Sequence, residues 1–210
     1  MLYTEAVDAK TLELIELLQS KEYLNGFHLC GGTALSLYYG HRKSFDVDLF
    51  TNFSFDASRV LENLIYDFQF QLSFSAPDTL KGFIKNIKVD LLAHNFRYLQ
   101  DPVRPGRISV LSEKDICAMK LNAIAISGQR AKDFIDIWYL LRKFEVPEIL
   151  GFYRTKYNQT NDAVILKSLL YFDDVDIADW PILISDPALK WATVKKDIEK
   201  KVLNYIRGKS

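Results

Sequence analysis

The segment that decides the fold is Cys30-Gly-Gly-Thr-Ala-Leu-Ser-Leu-Tyr-Tyr-Gly-His-Arg-Lys-Ser-Phe-Asp-Val-Asp-Leu-Phe50. An apolar stretch at residues 27–30 predicts a strand that ends at the glycine pair, and residues 33–39 predict a short helix that stops at Gly40. Residues 45–50 then alternate apolar and acidic side chains with the period of two that is typical of a strand. The order of strand, glycines, helix and acidic strand predicts the beginning of a small α/β unit.

The glycine pair predicts a phosphate-binding turn. Gly31 and Gly32 lack side chains, so backbone N–H groups there are accessible to a phosphate, and the following helix N-terminus adds partial positive charge. Thr33 offers a hydroxyl beside this turn, and Arg42 and Lys43 supply two cationic side chains in the polar turn before the acidic strand. Together these five residues form the predicted nucleotide-binding group.

Three aspartates are the candidate catalytic and metal-binding residues. Asp46 and Asp48 stand two apart, about 6.6 Å along a strand, so both carboxylates face the same side and suit Mg²⁺ or Mn²⁺. Asp90 lies in the apolar stretch Ile87-Lys-Val-Asp-Leu-Leu92. If its strand lies beside the acidic strand, Asp90 completes the metal site or accepts a proton; the alternative is an edge-strand carboxylate facing water.

The remaining periodicity predicts two regions of different architecture. Residues 1–100 predict an α/β (α+β) domain with a small mixed sheet, and residues 101–210 predict a mainly helical domain after a Pro/Gly-rich connector. The expected helices before the connector are at 11–19, 33–39 and 56–68, and the expected strands at 27–30, 45–50, 70–75, 80–85 and 87–93. Further helices are expected at 112–127, from 131, and near 148–157, 163–171 and 191–206, and a short strand at 108–111.

The composition is that of an ordinary globular protein, with 49% hydrophobic and 26% charged residues among 210. The 27 basic residues balance the 27 acidic ones, which argues against nucleic-acid binding by bulk electrostatics. Cys30 and Cys117 lie among apolar neighbours, so neither a disulfide nor a zinc site is expected. The N-terminus has no leader pattern and no apolar run has membrane-spanning length, which predicts a cytoplasmic protein without a membrane partner.

The segment from Gly31 to Phe50 resembles the opening motif of the nucleotidyltransferase superfamily, specifically the AbiEii/AbiGii toxin family. The resemblance continues in Asp115-Ile-Cys-Ala-Met-Lys120-Leu-Asn-Ala-Ile and Lys132-Asp133-Phe-Ile-Asp136-Ile-Trp-Tyr-Leu-Leu, so it spans about residues 27–142 by motif. The stretch 166–174 is similar to the C-terminal part of compact members.

The resemblance implies a nucleotidyltransferase-like α/β domain, a helical domain, and an active site in the cleft between them. It implies transfer of a nucleotide from an NTP, in related toxins to a tRNA 3′ end. By matching position, Asp46 and Asp48 are the metal-binding acids, Lys120 contacts the nucleotide phosphates, and Asp133 is the acid of the last motif. The biological role implied is the toxin of a toxin–antitoxin or abortive-infection pair, with a cognate antitoxin as partner.

Alternatives to these assignments stay open on the residues alone. Lys120, on a helix with apolar neighbours, could extend to the surface, and Asp133 could be an ordinary first-turn helix residue. The acceptor could be a small molecule or a protein hydroxyl instead of RNA. A protein that binds nucleotide and metal without catalysis is the third possibility.

Overall fold

The computed structural model describes residues 2–208 and divides into two units, one up to Ser112 and one from Glu113. The first is a mixed α/β unit and the second is helical, which confirms the predicted fold class. Among the described residues, no helix is both long and apolar enough to cross a membrane.

The first unit is built on a five-stranded mixed sheet in the order β1-β2-β5-β4-β3. The β2–β5 pair is parallel, and the other three pairs are antiparallel. The strands are β1 (His28–Leu29), β2 (Val47–Thr51), β3 (Gln71–Ala76), β4 (Thr79–Ile84) and β5 (Ile87–Ala93). The helices are α1 (Ala9–Gln19), α2 (Gly31–Tyr39) and α3 (Ala57–Phe68).

One face of the sheet belongs to the core, because alternate strand residues are apolar and buried. These residues are Val47, Leu49, Leu80, Ile84, Val89 and Leu91. The opposite face carries the polar residues of the same strands, including Asp48 on β2 and Asp90 on β5. The helix expected at 56–68 is confirmed as α3, and Asp56 is its N-cap, because its side chain accepts a hydrogen bond from the backbone N–H of Arg59 at 3.1 Å.

Two element boundaries near the glycine pair differ from prediction. The helix α2 begins at Gly31 rather than after the two glycines, and β2 begins at Val47, so Asp46 precedes the strand. The reason is a hydrogen bond that sequence periodicity does not encode. The buried hydroxyl of Thr33 bonds to the backbone carbonyl of Asp46 at 2.5 Å and to the hydroxyl of Ser44 at 2.8 Å, which holds residues 44–46 against α2 instead of in the sheet.

Residues 101–112, predicted as the start of the helical domain, lie in the first unit. Leu29 on β1 donates its backbone N–H to Ser109 at 2.8 Å and accepts from Leu111 at 2.9 Å. The side chain of Gln19 adds hydrogen bonds to the carbonyl and the N–H of Ser109 at 2.8 and 2.7 Å. The expected strand at 108–111 forms isolated bridges, from Val110 to Leu29 and Val103.

The second unit contains five helices among its described residues. They are α4 (Glu113–Ile126), α5 (Ala131–Leu140), α6 (Val146–Tyr157), α7 (Ala163–Leu170) and α8 (Trp191–Arg207). The helix α4 packs against α5, α6 and α7, and α8 packs against α5, α6 and α7. Aromatic rings fill part of this core, where Phe134, Phe172 and Trp191 lie with their centroids 5.3–5.8 Å apart.

Candidate functional site

Two of the predicted acids lie side by side on the sheet. Asp48 on β2 is directly in register with Asp90 on β5, its parallel neighbour. Adjacent strands are about 4.8 Å apart and in-register side chains point to the same face, so the two carboxylates form a pair. The strand β5 is the middle strand of the sheet, which excludes the edge-strand interpretation of Asp90.

The carboxylate of Asp90 is buried and only partly satisfied. Its Oδ2 atom pairs with the ammonium of Lys88 at 3.2 Å, whereas Oδ1 has no hydrogen-bond partner among the described residues. Burying an unpaired carboxylate oxygen is unfavourable, so such an atom points to a ligand the site is built to accept. Lys88 is not among the predicted site residues, although it stands two positions before Asp90 and the strand period already places it on the same face.

A Mg²⁺ ion fits the chemistry of this pair. Proteins commonly bind Mg²⁺ through one or two carboxylates together with substrate phosphates and water, and Asp48 with the unsatisfied oxygen of Asp90 supplies such a pair. The third predicted ligand, Asp46, precedes the strand and is held through its backbone by Thr33. Within residues 2–208, no group of three or more acidic, histidine or cysteine side chains is arranged to hold a metal ion.

Gly31 places the N-terminus of α2 directly against the carboxylate of Asp48. Its φ angle is +69°, a left-handed conformation that favours glycine, and a Cβ atom built there would collide with Oδ2 of Asp48. The N-cap residue Cys30 makes no side-chain capping hydrogen bond. The first turn of α2 therefore brings backbone N–H groups and partial positive charge beside Asp48, as expected for an anion site.

Gly32 allows a second close approach, by the guanidinium of Arg42. A Cβ atom at Gly32 would collide with Nη2 of Arg42, which is buried rather than displayed in a surface turn. Lys43 instead donates to the backbone carbonyl of Glu5 at 2.5 Å. Of the two predicted cationic phosphate ligands, Arg42 is thus the one that lies against the glycine pair.

The second unit holds the other two predicted residues in a buried ionic cluster. The ammonium of Lys120 on α4 lies 2.5 Å from Oδ1 of Asp133 and 2.8 Å from Oδ2 of Asp136, both on α5. All three side chains are buried, so Lys120 does not extend to the surface and Asp133 is not a solvated first-turn residue. Arg130 adds a longer contact to Asp133, 3.9 Å between Nε and Oδ2.

A second buried ion pair in this unit escapes prediction from sequence. Lys156 on α6 donates to Asp115 on α4 at 2.7 Å, and neither side chain has more than 1% of its surface exposed. In the sequence, Asp115 is recognised only as part of a family motif at the start of a helix, and nothing there indicates a buried ion pair. A helical hydrophobic pattern assigns charged residues to the exposed face, so it cannot predict a charge pair inside the core.

The ring of His28 is uncharged at neutral pH. Burial, followed by the nearby charge of Arg104, lowers the pKa of His28 to about 4. Its neutral ring lies 2.7 Å from the hydroxyl of Ser109. His41, the histidine of the basic turn, is fully buried with its ring edge-on to Tyr39.

Comparison with known protein families finds a match over most of the chain. The family model described as nucleotidyl transferase AbiEii toxin, type IV toxin–antitoxin system, matches residues 16–68 and 85–204. These ranges contain the glycine pair, the three aspartates and the buried cluster of Lys120. The match confirms the resemblance inferred from the motifs.

One relative and one similar structure extend this result. An uncharacterized protein of Aquifex aeolicus, aq_aa25, is 32% identical over 205 residues, which cover 93% of this chain and 96% of that protein. The solved structure of MenT4, the nucleotidyltransferase toxin Rv2826c of Mycobacterium tuberculosis H37Rv, matches with a TM-score of 0.54 at 16% identity. That match covers 93% of this chain and 84% of the MenT4 chain, and it supports the shared fold.

Proposed function

The chain belongs to the family of AbiEii nucleotidyl transferase toxins of type IV toxin–antitoxin systems, and on that premise we propose the reaction that it performs. The protein transfers a nucleotidyl group from an NTP to a hydroxyl group of RNA, with a tRNA 3′ end as the preferred acceptor. It requires Mg²⁺ or Mn²⁺. A cognate antitoxin protein is its partner.

The observation that carries this proposal is the in-register pair of Asp48 and Asp90 with one buried, unsatisfied carboxylate oxygen. An isolated pair of acids on a sheet is weak evidence, because many such pairs face water. Here Asp48 lies against the N-terminus of α2, where Gly31 allows the contact. A carboxylate pair suited to a divalent cation, next to a helix end suited to an anion, fits a magnesium–nucleotide complex.

Each site residue of the first unit has a defined role in this proposal. Asp48 and Asp90 hold the cation. The backbone of Gly31 and Gly32 binds the triphosphate. When bound, the divalent ion neutralises phosphate charge and stabilises the attacking and leaving oxygens.

The reaction is an in-line displacement at the α-phosphorus. The acceptor hydroxyl oxygen forms the new P–O bond, and the bond between the α-phosphorus and the bridging oxygen of the β-phosphate breaks, so pyrophosphate leaves with that electron pair. The hydroxyl proton passes to the carboxylate of Asp90, which serves as general base. Arg42 balances negative charge on the phosphates from its position beside Gly32.

The second unit contributes Lys120 and Asp133 to the proposal. Lys120 has two carboxylate partners, Asp133 and Asp136, which position its ammonium inside the helical core. Contact with a nucleotide phosphate requires Lys120 to exchange one of these carboxylates for a phosphate oxygen. Asp133 then acts as a positioning residue for the lysine.

The test is transfer of label from each α-³²P-labelled NTP to total tRNA in the presence of Mg²⁺. We expect wild-type protein to label RNA with at least one NTP and the Asp48→Asn variant to lose on the order of 100-fold or more of this activity, as when one electrostatic contact to developing charge is removed. Asp101→Asn is the matched control, because Asp101 is an exposed acid of the same unit.

Other results would redirect the proposal. Label on a protein or a small molecule, lost in Asp48→Asn, would keep the nucleotidyl transfer and replace the RNA acceptor. Tight binding of magnesium–NTP without pyrophosphate release from any acceptor would overturn catalysis and identify a nucleotide-binding protein. Equal labelling by wild type and Asp48→Asn would remove the carboxylate pair from the mechanism.

A further inference from the structure

A row of four side chains crosses the sheet from the carboxylate pair to its outer edge. Asp48 on β2 is in register with Asp90 on β5, Asp90 with Lys81 on β4, and Lys81 with Phe74 on β3. In-register residues share a face, so all four belong to the face opposite the apolar core. With strands about 4.8 Å apart, the row extends roughly 14 Å.

A second, shorter row runs beside the first. Phe83 on β4 is in register with Lys88 on β5, and each stands two positions from its counterpart in the first row, so it lies on the same face. The side chains of this outer region are accessible. Phe74 is 53% exposed, Phe83 is 40% exposed, and the side chain of Lys88 is 46% exposed.

Aromatic rings interleaved with lysines on an open sheet are the features that bind unpaired nucleotides. Bases stack on exposed rings, and ammonium groups pair with the phosphates between them. A duplex does not suit this surface, because its bases are already stacked on one another. An apolar protein partner would use the rings but gain nothing from Lys81 and Lys88.

We propose that this face, defined by Phe74, Lys81, Phe83 and Lys88 and called here the acceptor face, binds the single-stranded 3′ end of the RNA acceptor. The bases stack on Phe74 and Phe83, the lysines contact the phosphates, and the terminal hydroxyl lies at the carboxylate pair. The acceptor face is continuous with that pair through the register of Lys81 and Asp90. The inference rests on the proposed function, whose acceptor it assigns to a surface.

Binding without turnover tests the acceptor face directly. The probe is a short fluorescein-labelled single-stranded RNA, and the readout is anisotropy without NTP. We expect Phe74→Ala and Phe83→Ala each to weaken binding about 5- to 100-fold, the usual effect of losing one stacked ring. Phe74→Tyr keeps the ring and should bind within about twofold of wild type, whereas Phe74→Leu should behave like the alanine variant.

Two exposed residues of the same unit are matched controls. Tyr66→Ala removes a ring that is 89% exposed on α3, and Lys10→Ala removes an exposed ammonium on α1. Both should leave RNA binding unchanged. The acceptor face is overturned if wild-type protein does not bind the probe, if the Phe74 and Phe83 variants bind like wild type, or if Phe74→Leu binds as well as Phe74→Tyr.

The tRNA labelling assay separates this inference from the proposed function. If the acceptor face is correct, Phe74→Ala raises the KM for RNA and leaves the Kd for NTP unchanged. Labelling by wild type with no effect of Phe74→Ala on the KM for RNA overturns the acceptor face alone. If RNA binding depends on the rings of Phe74 and Phe83 but no NTP labels the RNA, the transfer reaction is overturned and the binding surface is supported.

Discussion

Gly31 combines two separate requirements in one residue. Its φ angle of +69° disfavours any residue with a side chain, and its Cα faces Asp48 so closely that no Cβ fits. The first requirement concerns the backbone alone, whereas the second concerns the position of the carboxylate. A glycine that has a positive φ angle but no side chain close to it allows the two effects to be measured separately. Gly106 is such a residue, with φ +77° and no atom within 4 Å of the position that a Cβ would take.

We expect Gly31→Ala to lower the free energy of unfolding by about 2–4 kcal/mol, from left-handed strain of about 1–2 kcal/mol and a similar cost of displacing the Asp48 carboxylate. Gly106→Ala should lower the free energy of unfolding only by the left-handed strain of about 1–2 kcal/mol. Urea unfolding followed by circular dichroism measures both. NTP-dependent labelling should fall in Gly31→Ala and persist in Gly106→Ala; equal effects of the two variants would show that the contact with Asp48 is irrelevant.

At the scale of elements, α4 and α5 are joined by an ionic cluster rather than by apolar side chains alone. Lys120 contributes one positive charge and Asp133 with Asp136 two negative ones, all buried. Removing the lysine would take the 2.5 and 2.8 Å ion pairs away from two buried carboxylates. The cost of such a deletion is that of an uncompensated buried charge.

We therefore expect Lys120→Met to destabilise the protein by about 3–5 kcal/mol. The triple variant Lys120→Met, Asp133→Asn, Asp136→Asn should recover part of this loss, because the two buried negative charges are removed with the lysine. Urea unfolding followed by tryptophan fluorescence is suited to the measurement, since all three tryptophans, Trp138, Trp180 and Trp191, lie in the second unit.

Lys132→Met is the control for this series. Lys132 also lies on α5, but its partner Asp179, 3.0 Å away, has 73% of its side chain exposed. A surface ion pair of this kind contributes about 0–1 kcal/mol. A loss in Lys120→Met no larger than that in Lys132→Met would mean that the buried cluster is not what joins α4 to α5.

The elements that could be predicted from sequence are those in which a local pattern and the packing agree. The helix α3 shows its apolar face in Val60 and Leu64 and its N-cap in Asp56, and the strand β5 shows its buried face in Val89 and Leu91. Periodicity is sufficient there, because each side chain's environment follows from its position in the element.

The elements that the sequence pattern misplaces depend on contacts distant in sequence. The pattern puts Asp46 in the strand, but the hydroxyl of Thr33, thirteen residues earlier, holds its carbonyl outside the sheet. The pattern assigns the last stretch of the first unit to the helical domain, because its backbone hydrogen bonds to Leu29 leave no local signal. The carboxylate pair is partly predictable. Asp48 and Asp90 are both identifiable from the sequence, but only the register of β2 with β5 shows that they are neighbours.

At the scale of the whole molecule, the formal net charge is zero. Such a protein has no net charge that attracts RNA from a distance, so local cations must supply the electrostatic contribution to binding. On the acceptor face these cations are Lys81 and Lys88. The salt dependence of RNA affinity then measures how many phosphates the protein contacts.

We expect log Kd for the single-stranded probe to change with log salt concentration with a slope of about 1 to 2, since each phosphate contact on a single strand contributes about 0.7. Lys81→Ala should reduce the slope by about 0.7, whereas Phe74→Ala should weaken binding and leave the slope unchanged. A slope above about 4 would require several more phosphate contacts than the two lysines provide and would place the RNA elsewhere.

The irregular register of β3 has a consequence for behaviour at high concentration. This edge strand is exposed along nearly its whole length, and its unpaired backbone groups would otherwise offer a template for a strand from another molecule. Its pairing with β4 shifts between Leu72 and Phe74, which adds a residue and bends the strand. A bent edge is a poor template for cross-β stacking, so the bulge leaves the ring of Phe74 open to solvent while protecting the protein from aggregation.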